Sequence, residues 1–340
     1  MQRLTKNVGN CDFTKIKPLK KNKVKRILIC RPNHRLGNML LITPLVQEVE
    51  RTFPDCKIDL FVKGRIAKII FSNYNSVGRI LVLPKKHFKK ILQYLAGWFA
   101  IKSKRYDLVI NVNKTSSSGR LSAKAARAEH KFFGDAGDNM EAKCPEDYCH
   151  IAKYPVYNLR YYLTKAGIKV DNGPVPPLNI KLSEEELRHG ENVLHELVQN
   201  TKKTICLFTY ATSRKCYSTE WWEQFYNRLL IEYPGYNIIE VLPVENVSQI
   251  GFKAPHFYSK DIREIAALIA NTTVFIGADS GMMHLASASG CPVIGLFSVT
   301  KAGVYQPYNN YSRYINTNVM DIDESIGLLN ETLDAIAHNP

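Results

Sequence analysis

The most informative stretch of the sequence covers residues 275–297 and reads Phe275-Ile-Gly-Ala-Asp-Ser-Gly-Met-Met-His-Leu-Ala-Ser-Ala-Ser-Gly-Cys-Pro-Val-Ile-Gly-Leu-Phe297. An apolar strand leads into Asp279-Ser280-Gly281, which opens a helix of small residues, and a second apolar strand follows that helix. Gly281 allows a ligand to approach the backbone closely. Because the N–H groups and the positive dipole end of a helix start suit a diphosphate, the stretch predicts a nucleotide site in a parallel α/β sheet.

The same helix carries a histidine one turn after its start. His284 lies on the side of Ser280, and we expect its ring to donate a hydrogen bond to a phosphate oxygen. The alternative is a purely structural junction, because strand–turn–helix connections occur in every α/β protein and Asp279 then serves only as a helix cap.

Strands and helices alternate on both sides of this stretch, which predicts βαβ units and parallel sheets. Predicted strands cover residues 24–30, 57–62, 79–83, 106–111, 204–209, 236–242, 273–276 and 292–297. Predicted helices cover residues 39–53, 66–71, 85–104, 183–200, 219–233, 261–270, 282–289 and 321–338. The rhythm is lost over residues 132–160, and the stiff, turn-rich Asn172-Gly-Pro-Val-Pro-Pro177 follows as a linker candidate.

The alternation therefore predicts an α/β chain of two Rossmann-like domains facing a central cleft. It divides the chain into a basic lead-in (1–23), an N-terminal Rossmann-like domain (24–170), a linker (171–178), a C-terminal Rossmann-like domain (179–318) and a last helix (319–340).

The charge of the chain is divided unevenly. The 340 residues carry a formal net charge of +15, which separates into +22 for residues 1–170 and −7 for residues 171–340. A hydrophobic content of 45% argues against a disordered or fibrous chain. The basic half predicts contact with a polyanion: nucleic acid, an anionic membrane surface or a phosphorylated acceptor.

Targeting and metal signals are weak in this sequence. There is no apolar run of membrane-spanning length and no apolar secretory segment, so we expect a cytoplasmic chain with reduced thiols. Cys144, Cys149 and His150 lie close together, but no second cluster completes a tetrahedral zinc set. We therefore predict no metal and no cofactor other than a substrate.

Three segments together resemble a known family. Asp279-Ser-Gly-Met-Met-His-Leu-Ala286 looks like the D-[ST]-G-x-x-H-[LI]-A signature of glycosyltransferase family 9, the ADP-heptose:lipopolysaccharide heptosyltransferases. Arg31-Pro-Asn-His-Arg-Leu-Gly-Asn-Met-Leu-Leu-Ile-Thr-Pro44 is similar to the family's first loop, and Ala211-Thr-Ser-Arg-Lys-Cys-Tyr-Ser-Thr-Glu-Trp-Trp222 to a third segment.

The resemblance implies a GT-B fold and an inverting, metal-independent transfer of a sugar, heptose from ADP-heptose, to a lipopolysaccharide core or related glycolipid. The implied donor-binding residues are Thr212, Ser213, Lys215, Glu245, Asp279, Ser280, Gly281 and His284. Lys215 matches the family's phosphate-contacting lysine, and Glu245 matches an acidic residue near the donor's ribose, although a solvated loop glutamate is the alternative there. The resemblance also implies that the N-terminal domain (24–170) binds the acceptor and the C-terminal domain (179–318) binds the nucleotide-sugar donor. Arg35 and Gly37 are implied to form part of the acceptor loop.

The first loop departs from the family at position 38. The family's proposed catalytic base is an aspartate after the loop glycine, whereas Asn38 follows Gly37 here. A carboxamide does not accept the proton, so Asn38 is assigned to positioning the acceptor. Three readings remain open: His34 is the base, because histidine titrates near neutral pH; a carboxylate reaches the site from elsewhere; or the protein binds its ligands without efficient transfer.

The first half of the chain also contains a basic segment. Residues 85–105 form a predicted helix with basic ends, on which Phe88, Ile91, Leu92, Leu95, Trp98 and Phe99 share one face. That face is either the core side of a Rossmann helix or a peripheral contact with an anionic inner membrane through Trp98 and the lysines. Other classes left open are a nucleotide-sugar epimerase, for which no carboxylate pair is evident, and a non-enzymatic polyanion-binding protein, although no nucleic-acid motif is present.

Overall fold

The computed structural model describes residues 8–84, 91–137 and 146–338. The chain divides into two compact units at the Pro176–Pro177 bond, which falls inside the predicted linker of residues 171–178. Each unit is described separately below.

The first unit is built on a five-stranded parallel sheet with the strand order β3-β2-β1-β4-β5. Its strands are β1 (Arg26–Arg31), β2 (Lys57–Lys63), β3 (Val77–Leu83), β4 (Arg105–Asn111) and β5 (Arg127–Phe132). Its helices are α1 (Leu36–Leu40), α2 (Thr43–Thr52), α3 (Ile66–Ile70), α4 (Ile91–Lys102), α5 (Ser117–Ala125) and α6 (Tyr154–Lys165). The strand order reverses between β1 and β4, so the segments that follow these two strands flank the position where α/β sheets bind ligands.

The second unit is built on a six-stranded parallel sheet with the strand order β11-β10-β9-β6-β7-β8. Its strands are β6 (Thr204–Phe208), β7 (Asn237–Val241), β8 (His256–Phe257), β9 (Val274–Ala278), β10 (Val293–Phe297) and β11 (Arg313–Asn316). Its helices are α7 (Glu184–Val198), α8 (Thr219–Glu232), α9 (Ile262–Ala270), α10 (Gly281–Ser289), α11 (Ala302–Tyr305) and α12 (Ile322–His338). Here the strand order reverses between β6 and β9.

Helix α10 is held tightly in this second unit. Gly290 ends it in the left-handed conformation at φ +92°, as its sequence predicts. Gly295 of β10 lets the helix approach the sheet, because an added Cβ would lie 2.8 Å from Met283 Sδ. Near the other end of the helix, Ile180 N donates to Ala288 O at 2.9 Å, so the segment that leaves the first unit is anchored on α10.

Two predictions near the first strand need correction. The predicted helix over residues 39–53 is two helices, because Pro44 lacks an N–H and fits the first turn of a new helix. The first of these begins at Leu36, so Gly37 and Asn38 lie in α1 and not in a loop. Arg35 takes the extended conformation that precedes a helix, and its N–H donates to Asn33 Oδ1 at 2.9 Å.

Helix α6 was not predicted from the sequence. Pro155 lies in its first turn, and Leu159 and Leu163 are fully buried. Arg160 of this helix forms a buried ion pair with Glu48 of α2 at 2.9 Å. The helix thus fills part of the irregular region predicted over residues 132–160.

The apolar residues of α4 do not share one face. Tyr94 and Trp98 pack toward β2 and β3, with the Trp98 ring 5.8 Å from that of Phe61. Leu92 and Phe99 are exposed instead. Phe88 and the side chain of Ile91 lie outside the described residues. Within the described part of the chain, no helix is both long and apolar enough to cross a membrane.

Candidate functional site

The candidate site of the second unit lies at the carboxyl ends of β6, β9 and β10. After β9, Ser280 caps α10 by accepting a hydrogen bond from Met283 N at 3.3 Å. The next N–H groups, those of Gly281 and Met282, donate to no acceptor within the described residues. The start of α10 therefore presents two backbone donors at the positive end of the helix.

Asp279 is the centre of the side-chain contacts at this helix start. Its Oδ2 accepts from Lys215 Nζ and from Thr300 Oγ1, each at 2.5 Å, and its Oδ1 lies 4.0 Å from His284 Nε2. The Asp279 side chain is 5% exposed. Because Lys215 follows β6 and Thr300 follows β10, one buried carboxylate connects the segments after three neighbouring strands.

Lys215 reaches this centre from a short 3₁₀ turn, Ser213–Lys215. Ser213 opens the turn at φ +59°, a region that few residues other than glycine adopt. The Lys215 ammonium also lies 5.9 Å from the centre of the Tyr305 ring. The lysine side chain remains 34% exposed, and an ammonium has three N–H donors. It can therefore bind an anion while it stays paired with Asp279.

His284 is neutral at pH 7 in this environment. Burial lowers its pKa to about 4; the negative charge of Asp279 opposes this shift, and the positive charge of Lys215 adds to it. The ring therefore contributes a neutral N–H donor and not a positive charge. Its predicted hydrogen bond to phosphate stays a prediction.

Three further residues predicted for donor binding lie outside these contacts. Thr212 and Ser213 are exposed on the segment that leads to Lys215. Glu245 lies on an exposed turn after β7, and within the described residues it contacts neither Lys215 nor Asp279. Its predicted place beside a ribose is untested by this geometry.

The sequence reading missed two residues of this site, Thr300 and Tyr305. Both come after β10 and contact Asp279 and Lys215 across the carboxyl edge of the sheet. The available signal was topological: the segments after adjacent parallel strands meet at one edge.

The first unit places its predicted residues at the end of β1. Arg31 Nη2 donates to Asn38 Oδ1 at 3.0 Å. A guanidinium only donates hydrogen bonds, so the carboxamide oxygen must face Arg31 and the amide nitrogen is left as a donor. His34 and Arg35 are exposed between these two residues, and Gly37 lies in α1. Asn38 can therefore donate a hydrogen bond to an acceptor molecule.

The segment after β4 adds a second candidate element to this edge. It reads Asn111-Val-Asn-Lys-Thr-Ser-Ser-Ser-Gly-Arg120, and Ser116 caps α5 by accepting from Gly119 N at 3.2 Å. Lys114 and Thr115 are exposed there. By topology this segment and the one after β1 flank the same crevice of the first unit.

Cys149 and His150 are the described members of the cysteine and histidine group noted in the sequence. Cys144 lies outside the described residues, and His150 is buried. No group of three His, Cys, Asp or Glu residues in the described ranges is arranged to hold a metal ion.

Comparison with known proteins bears on the class of this site. The model of "Glycosyltransferase family 9 (heptosyltransferase)" matches residues 259–323, which contain Asp279 and its neighbours. The chain is 24% identical over 299 residues to the lipopolysaccharide heptosyltransferase 3 of Escherichia coli, over 81% of this chain and 84% of that protein.

Two solved structures share the fold. A family 9 glycosyltransferase from Veillonella parvula aligns with a TM-score of 0.70 at 17% identity, over 91% of this chain and 97% of that one. The E. coli heptosyltransferase WaaC, solved with ADP, aligns with a TM-score of 0.66 at 15% identity, over 90% and 99% of the two chains.

The two parallel sheets and these matches define a glycosyltransferase with the GT-B fold, as the motifs predict. The family model and the curated relative agree with the three sequence segments. In sequence and in fold the chain is similar to the heptosyltransferases of glycosyltransferase family 9.

Proposed function

We propose that this glycosyltransferase moves heptose from ADP-heptose to a lipopolysaccharide core or a related glycolipid, with inversion and without a metal. The observation that carries the proposal is the Asp279 centre, where Lys215 and the first N–H groups of α10 converge at the edge of the sheet. The names of the curated relatives support the sugar and the acceptor class.

In this proposal the donor's diphosphate lies against the start of α10. The Gly281 and Met282 N–H groups bind its oxygens, and Lys215 supplies the positive charge. The Thr212 and Ser213 hydroxyls add donors, and Glu245 accepts from the ribose. Asp279 fixes the Lys215 ammonium in place, and Ser280 and His284 hold the geometry of the turn.

Transfer is a single displacement. The acceptor hydroxyl oxygen forms a bond to the anomeric carbon as the bond from that carbon to the diphosphate oxygen breaks, and the electron pair leaves with the nucleoside diphosphate. A base takes the hydroxyl proton. Lys215 and the two N–H groups bind the leaving diphosphate as its charge grows, which lowers the barrier.

We assign the base to His34 and a positioning role to Asn38. His34 is an exposed imidazole on the segment between β1 and α1. Asn38 donates its amide N–H to an oxygen of the acceptor, since Arg31 occupies its carbonyl oxygen. Arg35 and Gly37 complete the acceptor segment, and Arg35 attracts phosphate groups on the glycolipid.

The acceptor also suggests where the enzyme works. A phosphorylated glycolipid lies in a membrane, so the proposal places the protein in the cytoplasm, in peripheral contact with the inner membrane. The net charge of +22 over residues 1–170 supports an anionic acceptor on the side of the first unit.

A nucleotide panel tests the donor site. Thermal unfolding is measured with ADP, UDP, GDP and CMP, and ADP is expected to raise the midpoint most. Lys215→Ala should remove most of that increase. Lys253→Ala is the matched control, because Lys253 also pairs with a carboxylate, Glu223, at 2.6 Å in the same unit but on the surface.

Two results would contradict this assignment. If no nucleotide raises the unfolding midpoint, the start of α10 is not a donor site. If Lys215→Ala and Lys253→Ala reduce the ADP effect equally, the lysine at position 215 has no particular role.

A further inference from the structure

Helix α4 is apolar around its whole circumference. Residues 91–101 contain no charged side chain. Among them only Gln93, Tyr94 and Trp98 have side chains that form strong hydrogen bonds. A helix of this composition is normally buried on every side or lies in contact with lipid.

One side of α4 is used for packing within the first unit. Ile101 is fully buried, Trp98 contacts Phe61, and an added Cβ at Gly97 would lie 2.7 Å from Leu83 Cδ2. These positions lie three and four residues apart, so they form a single stripe against the sheet. The stripe fixes the rotation of the helix.

The opposite side is exposed. Leu92 is 83% exposed, Leu95 is 47% exposed and Phe99 is 71% exposed. Their spacing of three and four residues places them on one face, together with the exposed Ala96. We call Leu92, Leu95 and Phe99 the exposed face of α4.

The surroundings of this face are positively charged. Residues 60–106 contain 11 Lys or Arg and no Asp or Glu. Lys102 ends α4 and is exposed, and four lysines lie in the sequence just before the helix. Of the elements packed against α4, β3 and α5 contain no acidic residue, and α5 exposes Lys124. The third, β2, contains Asp59, which is buried and paired with Arg79 at 2.8 Å.

We infer that the exposed face of α4 inserts into the surface of an anionic lipid bilayer. Leucine and phenylalanine enter the boundary between headgroups and acyl chains, while the lysines around them bind anionic headgroups. A second copy of this chain fits less well, since two such faces would bring like charges together. The proposed function enters this inference in one respect, because it supplies the reason for membrane contact, namely the approach to a membrane-bound acceptor.

Sedimentation with vesicles tests this inference. Wild-type protein is mixed with vesicles of phosphatidylcholine alone or with 30% phosphatidylglycerol, and binding is expected with the anionic vesicles. Leu92→Glu/Phe99→Glu should reduce the partition coefficient by about tenfold or more. Leu92→Ser/Phe99→Ser should reduce it as well, which separates lost insertion from added negative charge.

The control is Leu230→Glu/Ile231→Glu on α8 of the second unit. Leu230 is 47% exposed and Ile231 is 72% exposed, so the control makes the same charge change at similarly exposed apolar residues. It should bind anionic vesicles as the wild type does. Unfolding midpoints of all variants show that they are folded.

The outcomes separate this inference from the proposed function. Equal vesicle binding by wild type and the α4 variants overturns the inference, even if the enzyme transfers sugar to a water-soluble acceptor. Vesicle binding that depends on α4, without transfer to any acceptor, upholds the inference and overturns the function. A loss of dimer mass in the α4 variants, without vesicle binding by the wild type, identifies a second copy as the partner instead.

Discussion

Asp279 in the second unit and Asn38 in the first both follow a central strand at the point where the strand order of their sheet reverses. Asp279 is buried, and one of its oxygens accepts from side chains that follow two other strands. Asn38 is half-buried, and its partner Arg31 belongs to the strand just before it.

This difference concerns how the two segments are held. The Asp279 centre is fixed by contacts between segments far apart in sequence, so its geometry depends on the whole sheet. The segment from Arg31 to Asn38 is fixed mainly by local contacts and exposes His34 and Arg35. A site that binds a constant nucleotide gains from the first arrangement, and one that receives a large glycolipid gains from the second.

The largest expected effect is on catalysis in the first unit. His34→Ala should lower kcat by about a hundredfold, the usual contribution of a positioned base. The increase in unfolding midpoint with ADP should not change, because the donor contacts that we propose lie in the second unit. Steady-state transfer assays and thermal unfolding measure the two quantities.

Asn38→Asp sharpens this result. An aspartate at position 38 would be held ionised by the guanidinium of Arg31 and would give the segment a carboxylate base. In a His34→Ala background it should therefore restore part of the lost kcat. Unchanged turnover in His34→Ala alone removes the imidazole from the mechanism.

The next effect is on stability and compares the two units directly. Asp279→Asn should lower the free energy of unfolding by about 2–3 kcal/mol, because it removes the buried carboxylate that accepts from both Lys215 and Thr300. Asn38→Ala should cost about 1 kcal/mol, the value of one hydrogen bond. Urea unfolding measures both changes in free energy. Equal losses for the two variants would show that Asp279 and Asn38 are held equally strongly.

The last effect is a dependence of stability on pH in the second unit. The pKa of His284 is lowered from 6.5 to about 4, so between these values the unfolded chain binds a proton that the folded chain does not. Stability is therefore lost as the pH falls. From pH 7.5 to pH 5 this group should cost about 2 kcal/mol.

His284→Gln isolates that contribution. The variant should lose less stability than the wild type over the same pH interval, as judged by urea midpoints. His195→Gln replaces an exposed histidine of α7 instead, and its slope shows the effect of the same substitution away from the site. Identical slopes for all three proteins would exclude a role for His284.

Much of the fold could be predicted from apolar runs. The central strands β1, β6, β9 and β10 are buried along almost their whole length, so their sequences are uninterrupted apolar segments. The edge strand β5 reads Arg127-Ala-Glu-His-Lys-Phe132 and was not predicted, because an edge strand is partly exposed to solvent and carries charged residues.

The helices show the same limit. The helix predicted over residues 183–200 is confirmed as α7, because the capping box of Ser183 and Glu186 is a local signal in the sequence. Helix α6 lacks such a signal, and the tyrosines spread through its sequence obscure the helical spacing of its buried residues. The prediction that the apolar residues of α4 share one face was wrong. Both the packed side and the exposed side of this helix are apolar, so the periodicity of apolar residues does not distinguish them.

The candidate site was predicted as far as its motifs extend along the chain. Asp279, Ser280 and Gly281 form one local motif, and the structure brings Lys215 to it. Thr300 and Tyr305 carry no motif of their own, and their contacts follow from the order of strands in the sheet.

The anchoring of Ile180 on Ala288 makes α10 a mechanical link within the second unit. The chain leaving the first unit is bonded to Ala288 near one end of this helix, and Gly281 and Ser280 lie at the other end, about 11 Å away. The hydrogen-bonded backbone of a short helix is stiff along its axis. The position of the connecting segment at Ile180 is therefore coupled, through α10, to the position of the groups proposed to hold the diphosphate.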